Sequence, residues 1–253
     1  MLKIRSNKFF GIALCGALAL GLEQKAAANF VQNGDFEETG GVVLGSPGTS
    51  GMLMYNVWAA NWTTVGYNFL YTPGTADTTG AIGNADPNPV KMWGPGTGSA
   101  NGLAGSPTGG NYVALFSAFE SAALTQMLTG LTAGNTYTLS FNWAGTQQFG
   151  LQGDTTDKLT VSLGSESKST STINVASEGF SGWMHESMTF TADGSDVLLS
   201  FLASGGPAGL PPVVLLDSIS MEVPDATSTA GLLGFALAFM GCAVVYRRRQ
   251  SRQ

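Results

Sequence analysis

Few side chains in this sequence have the type and setting for chemistry, and those few favour holding a ligand over transforming one. Trp93, in Lys91-Met92-Trp93-Gly94-Pro95-Gly96, stands in a Gly/Pro loop without strand alternation and is the first candidate for an exposed sugar platform. Phe149 is the second, with Gln147, Gln148, Asp154 and Asp157 nearby to meet hydroxyl groups. Burial in the core is the competing reading for any of these rings, because aromatic side chains dominate core energetics. Trp62, Trp143 and Trp183 lie on strand-like patterns and are assigned to the core. Asp217 interrupts the apolar run Val213-Val214-Leu215-Leu216, where an unpaired carboxylate would be costly to bury. A metal ion or the backbone amides of a loop would each satisfy it.

Catalytic constellations are scarce. His185 is the single histidine and adjoins Glu186 in a strand-like run, so it reads as a surface residue facing away from Met184 and Met188. No Gly-x-Ser-x-Gly elbow occurs, and no glycine loop leads into a lysine and a helix as phosphate binding requires. Paired carboxylates for glycoside hydrolysis depend on separation in space and stay open at this stage.

The elements that must position these residues are strands. Tyr137, Leu139, Phe141 and Trp143 alternate with polar residues, as do Leu159, Val161 and Leu163, and Val197, Leu199 and Phe201. Val213 to Leu215 is apolar on both faces. Turn signals at 132–135, 164–167 and 192–195 separate these runs, and together they predict an all-β, antiparallel sandwich. From Gly40 to about Gly110 the chain is rich in Gly, Pro, Thr and Asn and reads as long loops between a few short strands. Phe116 to Leu128 admits a short helix, but Ala123 to Leu128 entering a Gly-containing turn is read as a strand.

Asn33-Gly34-Asp35-Phe36-Glu37 resembles the opening of many extracellular jelly-roll domains. Gln126 to Phe141 resembles their middle strand pair; Trp183 to Phe190 and Leu215 to Ile219 resemble their closing strands. These domains are similar to the galactose-binding-like sandwiches that include many carbohydrate-binding modules. The resemblance implies a structural Ca²⁺ shared by the opening segment and the closing strand, with Glu37 and Asp217 as side-chain ligands and Asp35 or nearby carbonyls helping.

The two ends of the chain read as addresses. Three positive charges, a short apolar stretch from Phe9 to Leu22 and Ala26-Ala27-Ala28 describe a secretory signal peptide over 1–28. Cys15 lies inside that apolar stretch as a small hydrophobe. At the other end Val223-Pro224-Asp225 precedes an apolar run from Ala230 to Tyr246, followed by Arg247, Arg248 and Arg249. The arginines would stay cytoplasmic, which places the preceding chain outside the inner membrane. This tripartite tail, 223–253, resembles the PEP-CTERM class of sorting signals, in its Val-Pro-Asp-Ser-Gly variant, although Ala226 and Thr227 replace the Ser and Gly. That resemblance implies an exosortase-type processing enzyme as partner, transient anchoring by one transmembrane helix, and a host that makes exopolysaccharide. Beside such a tail the sequon Asn61-Trp62-Thr63 is read as coincidence.

Between the two ends, residues 29–222 form one domain. They carry fifteen acidic residues against Lys91, Lys158 and Lys168, a formal charge of −12, whereas the whole chain is −6. So acidic a body argues against nucleic acid or anionic lipid as a partner and suits a neutral glycan, a cationic surface or a divalent cation. Both cysteines, Cys15 and Cys242, fall outside it, so the domain has neither a disulfide framework nor a thiol nucleophile. The sequence thus predicts an exported, non-catalytic protein of the cell surface or extracellular matrix that binds carbohydrate. The alternatives are a structural matrix protein without a specific ligand and a secreted glycan-active enzyme.

Overall fold

The computed structural model describes residues 29–40, 57–82, 89–210 and 212–223. The expected signal peptide and the expected sorting segment beyond Val223 lie outside the described residues. In chain order the strands are β1 (Thr39–Gly40), β2 (Trp58–Ala59), β3 (Asn68–Tyr71), β4 (Tyr112–Phe116), β5 (Leu124–Leu128), β6 (Thr136–Gln147), β7 (Thr155–Leu163), β8 (Glu166–Ser169), β9 (Ile173–Val175), β10 (Met184–Thr191), β11 (Val197–Gly206) and β12 (Pro212–Glu222). Among the described residues the only helical turn is a 3-10 turn at Pro95–Thr97, so no helix there is long enough to cross a membrane.

All pairings are antiparallel. One sheet runs β10-β6-β12-β4-β3 and the other β5-β11-β7-β8, with β9 also paired to β7; β1 and β2 form a small separate pair. The segment 124–128, which also admitted a helix, is a strand. The two-residue period explains the layering, because successive side chains point to opposite faces. Tyr137, Leu139, Phe141 and Trp143 of β6 turn inward to meet Leu159, Val161 and Leu163 of β7 and Leu199 and Phe201 of β11 in one core. Trp62 joins this core with its ring 5.5 Å from Phe36 and 6.1 Å from Phe201.

The first sheet has a second apolar layer on its outer side. Phe69, Tyr71, Tyr112, Ala114, Phe116, Val213 and Leu215 pack there against Ala76, Ala81, Val90 and Met92 of the long β3–β4 connection. This explains why β4 is buried at all five positions and β12 at its first six, as their two-sided apolar sequences predict.

The opening motif has a physical role at each residue. Asn33 Oδ1 accepts from the Glu38 N–H while its Nδ2 donates to the carbonyls of Glu38 and Ala60, stapling the segment. Gly34 lies against β12, where a Cβ would stand 1.9 Å from the Ile219 carbonyl oxygen. Phe36 enters the core with φ of 56° and its ring fully buried.

Candidate ligand-binding site

Three of the loops that precede or follow long strands meet at one end of the sandwich and bring together Trp93, Gln147, Phe149 and Asp154. Trp93 pairs its backbone N–H with the Gln147 carbonyl, and the Phe149 N–H pairs with the Lys91 carbonyl. The two rings meet edge to face at 4.7 Å. The expectation of an exposed Trp93 is corrected: the residue is 9% exposed, and its indole Nε1 donates to the Leu151 carbonyl at 2.6 Å. Folding of the 91–101 loop onto the β6–β7 loop closes over the ring and gives its one polar atom a partner. Phe149, 43% exposed, is the ring this end presents to solvent, with Trp93 bracing it from below.

Gln147 is also corrected as a sugar contact. It is fully buried, donates from Nε2 to the Gly153 carbonyl and accepts the Glu178 N–H on Oε1, so it organises the loops instead. Asn101 and Ser99 tie the same knot by donating to the Glu178 carbonyl. Asp154 stays exposed, its Oδ1 accepting the Ser177 N–H at 3.0 Å. With Thr156, Asn174, Val175 and Pro207 it lines an open groove of about 510 Å³. Sequence reasoning missed Gln152, Asn174 and Glu178, which lie in segments without any periodic or motif signal; Gln152 hydrogen-bonds the Glu178 carboxylate.

The proposed metal residues surround a different loop, 106–111, on the β12 side. Asp217 is fully buried at a bulge in β12, where the register to β6 slips between Asp217 and Ser220 and Ser218 takes φ of 56°. Its Oδ2 accepts from Ser106, from Thr108 at 3.0 Å and from Ser218 at 3.1 Å, while Oδ1 is buried with no hydrogen-bond partner. Burial holds its carboxyl above the usual range, against the pull of these donors. Glu37 meets the other end of the same loop, its Oε1 accepting the Asn111 N–H at 2.5 Å. Asp35 is exposed and lines a groove with Thr108 and Ser218. The three carboxylates therefore border one loop, yet among the described residues no three acidic or histidine side chains converge on one metal-sized point.

Asp157, expected to be available to hydroxyls, faces the interior and is fully buried. Its Oδ1 accepts from Ser117 at 2.7 Å, and Oδ2 has no partner. Gly145 leaves the space beside it, since a Cβ there would stand 3.1 Å from Oδ2. Desolvation pushes its pKa up to about 7, only partly offset by the Ser117 hydrogen bond. Trp62 and Trp143 are in the core as expected; Trp183 is half-buried, its ring 5.6 Å from Tyr112. His185 is exposed on β10, with Met188 buried on the opposite face.

No protein-family model matches the chain, and no curated protein matches it in sequence. Among solved structures it is similar to a family 61 carbohydrate-binding module in complex with β-1,4-galactotriose, at 14% identity over 78% of this chain and 100% of that one, with a TM-score of 0.43. It is similar to the family 22 xylan-binding domain of a Paenibacillus barcinonensis protein, at 13% identity over 80% and 99% of the two chains, TM-score 0.39. An arabinose-bound α-L-arabinofuranosidase aligns at 19% identity over 78% of this chain but 27% of its own length, TM-score 0.41. Values of this size leave the site and ligand of this chain to its own residues.

Proposed function

We propose that this chain is an exported, non-catalytic protein whose galactose-binding-like sandwich binds neutral polysaccharide through the loop end that carries Phe149 and Asp154. The observation that carries this reading is the exposed Phe149 ring braced by Trp93, on the same β6–β7 loop as Asp154 and its groove. A flat ring covers the apolar face of a pyranose, and carboxylate and amide groups beside it take the hydroxyls. Asp154, Gln152 and Asn174 supply such groups without the positive charge that an anionic ligand would need. Binding of a panel of neutral polysaccharides, measured by affinity electrophoresis and calorimetry, tests the reading. Phe149→Ala weakens binding at least tenfold with an unchanged melting midpoint. Equal affinity in the variant removes the site.

Export and surface sorting rest on the two ends of the sequence, and processing by an exosortase-type enzyme is part of the same proposal. The acidic body keeps the domain soluble in the matrix and disfavours nucleic acid. A glycan-active enzyme would need accessible carboxylates with raised pKa. Among the described residues the two carboxyls raised above the usual range, Asp157 and Asp217, are instead buried. Turnover of polysaccharide that a single Asp or Glu substitution abolishes would restore the enzyme reading.

A structural Ca²⁺ fits the β12 seam in its donor chemistry, because Asp217 Oδ1 is an orphaned buried oxygen on a carboxylate whose Oδ2 already meets the hydroxyls of Ser106, Thr108 and Ser218. Asp217 would hold the ion, with Glu37 or Asp35 and neighbouring carbonyls completing the shell, and the ion would neutralise a charge that otherwise resists burial. The melting midpoint falls on adding chelator and returns with Ca²⁺; an unchanged midpoint removes the ion.

A further inference from the structure

The outer face of the β5-β11-β7-β8 sheet is not covered by any described residue, and it gathers much of the large apolar surface exposed among the described residues. Of seven large hydrophobic residues exposed among the described ones, three project from this face: Met127, Leu198 and Leu202. Val65, 64% exposed, joins them, because the Thr63↔Thr125 bridge lays its segment alongside β5. Met127 and Leu198 are direct cross-strand partners, and Ser200 pairs with Thr125 beside them. A groove of about 480 Å³ runs along this margin, lined by Gln32, Asn61, Gln126 and Thr129 as well as Met127 and Leu198, without a charged side chain.

The rest of the face is neutral too. Thr156, Thr160 and Ser162 of β7 and Ser204 of β11 point the same way, and Lys158 is the one charge among them. No Asp or Glu projects from the middle of this face; Asp196 stands just before β11 at one border and Asp154 just before β7 at the other. In a domain with a formal charge of −12, this is the region where like-charged bodies can approach without bringing carboxylates together. From strand spacing and rise the face offers roughly 500 Å² per copy, about 1,000 Å² for a pair, near the lower limit for a specific interface.

We infer that this face is a self-association surface that takes a second copy of this chain, sheet against sheet, with apolar side chains of one copy entering the neutral groove of the other. The interface is weak, with its apolar contacts on the β5–β11 side of the sheet, and its strength rises with salt because salt screens repulsion between the acidic bodies.

Sedimentation velocity of the purified chain across about 1 to 300 µM tests this, with a reversible dimer expected at a dissociation constant on the order of 10 µM. Raising the salt concentration tightens it. The double substitution Met127→Lys with Leu198→Lys weakens association at least tenfold while the circular dichroism spectrum is retained. If that pair disturbs folding, Ser200→Lys gives the same readout from a single polar site. A monomer at all concentrations, or a dimer indifferent to these lysines, overturns the proposal. Loss of polysaccharide binding in the lysine variants, with Phe149→Ala unaffected, would assign the face to glycan instead and overturn both proposals.

Discussion

The two sheets of the sandwich are built from similar strands, yet their outer faces differ. The β10-β6-β12-β4-β3 sheet is roofed by the β3–β4 connection, so Phe69, Tyr71 and Phe116 form a second core with Met92. The β5-β11-β7-β8 sheet has no such roof among the described residues, and its outward residues are Ser, Thr, Lys158 and a few apolar side chains. Composition follows coverage. β4 reads Tyr-Val-Ala-Leu-Phe and is buried throughout, while β7 alternates buried and half-exposed residues along its whole length. Among the described residues, the long β3–β4 connection is thus structural, whereas the β6–β7 loop leaves Phe149 and Asp154 open to solvent. A covered face contributes stability, and an open neutral face leaves its side chains in solvent.

The largest expected effect is on the roofed side. Phe116→Ala removes a ring that packs on Tyr67 and Phe69 and destabilises by about 3–5 kcal/mol, whereas Leu202→Ser on the open face stays within about 0.5 kcal/mol. Chemical denaturation of both variants measures this; similar losses would erase the distinction between the faces. Asp157, at the inner end of the open sheet, gives the next effect. Its folded-state pKa of about 7 lies above the ordinary 3.8, so the folded protein keeps a proton that the unfolded chain releases. Stability from this group is therefore greatest at low pH, falls as pH rises from about 4 to about 7, and is flat beyond. Asp157→Asn removes that fall and gains on the order of 4 kcal/mol over the parent at pH 8 relative to pH 4. A gain independent of pH would mean that the carboxyl is not held neutral. Smallest in stability is Phe149→Ala, within about 0.5 kcal/mol despite its loss of glycan affinity.

Much of the framework was legible in the sequence because burial on a strand repeats every second residue. The phases of Tyr137 to Trp143 and of Leu159 to Leu163 placed those residues in the core before any contact was known. Val213 to Leu216, apolar on both faces, announced a strand covered on both sides. Asp217 stood out for the same reason, as a carboxylate inside an apolar run. Asp157 was legible in principle: it shares the phase of Leu159 and Val161, which puts it inward, though the polar residues around it drew it into the candidate sugar contacts.

Trp93 and Gln147 could not be read in this way. Neither the indole bond to Leu151, 58 positions away, nor the Gln147 contact to Glu178, 31 positions away, leaves any local periodic trace. Sequence by itself determined the all-β layering, the cysteine-free acidic body and the separate character of the two ends, since alternation, charge and apolar length are local properties. Tertiary structure alone decided which ring reaches solvent, which partners the buried carboxylates find and which sheet face stays open. Those outcomes depend on where distant loops come to rest, and nothing in a loop's own composition encodes the surface it will cover.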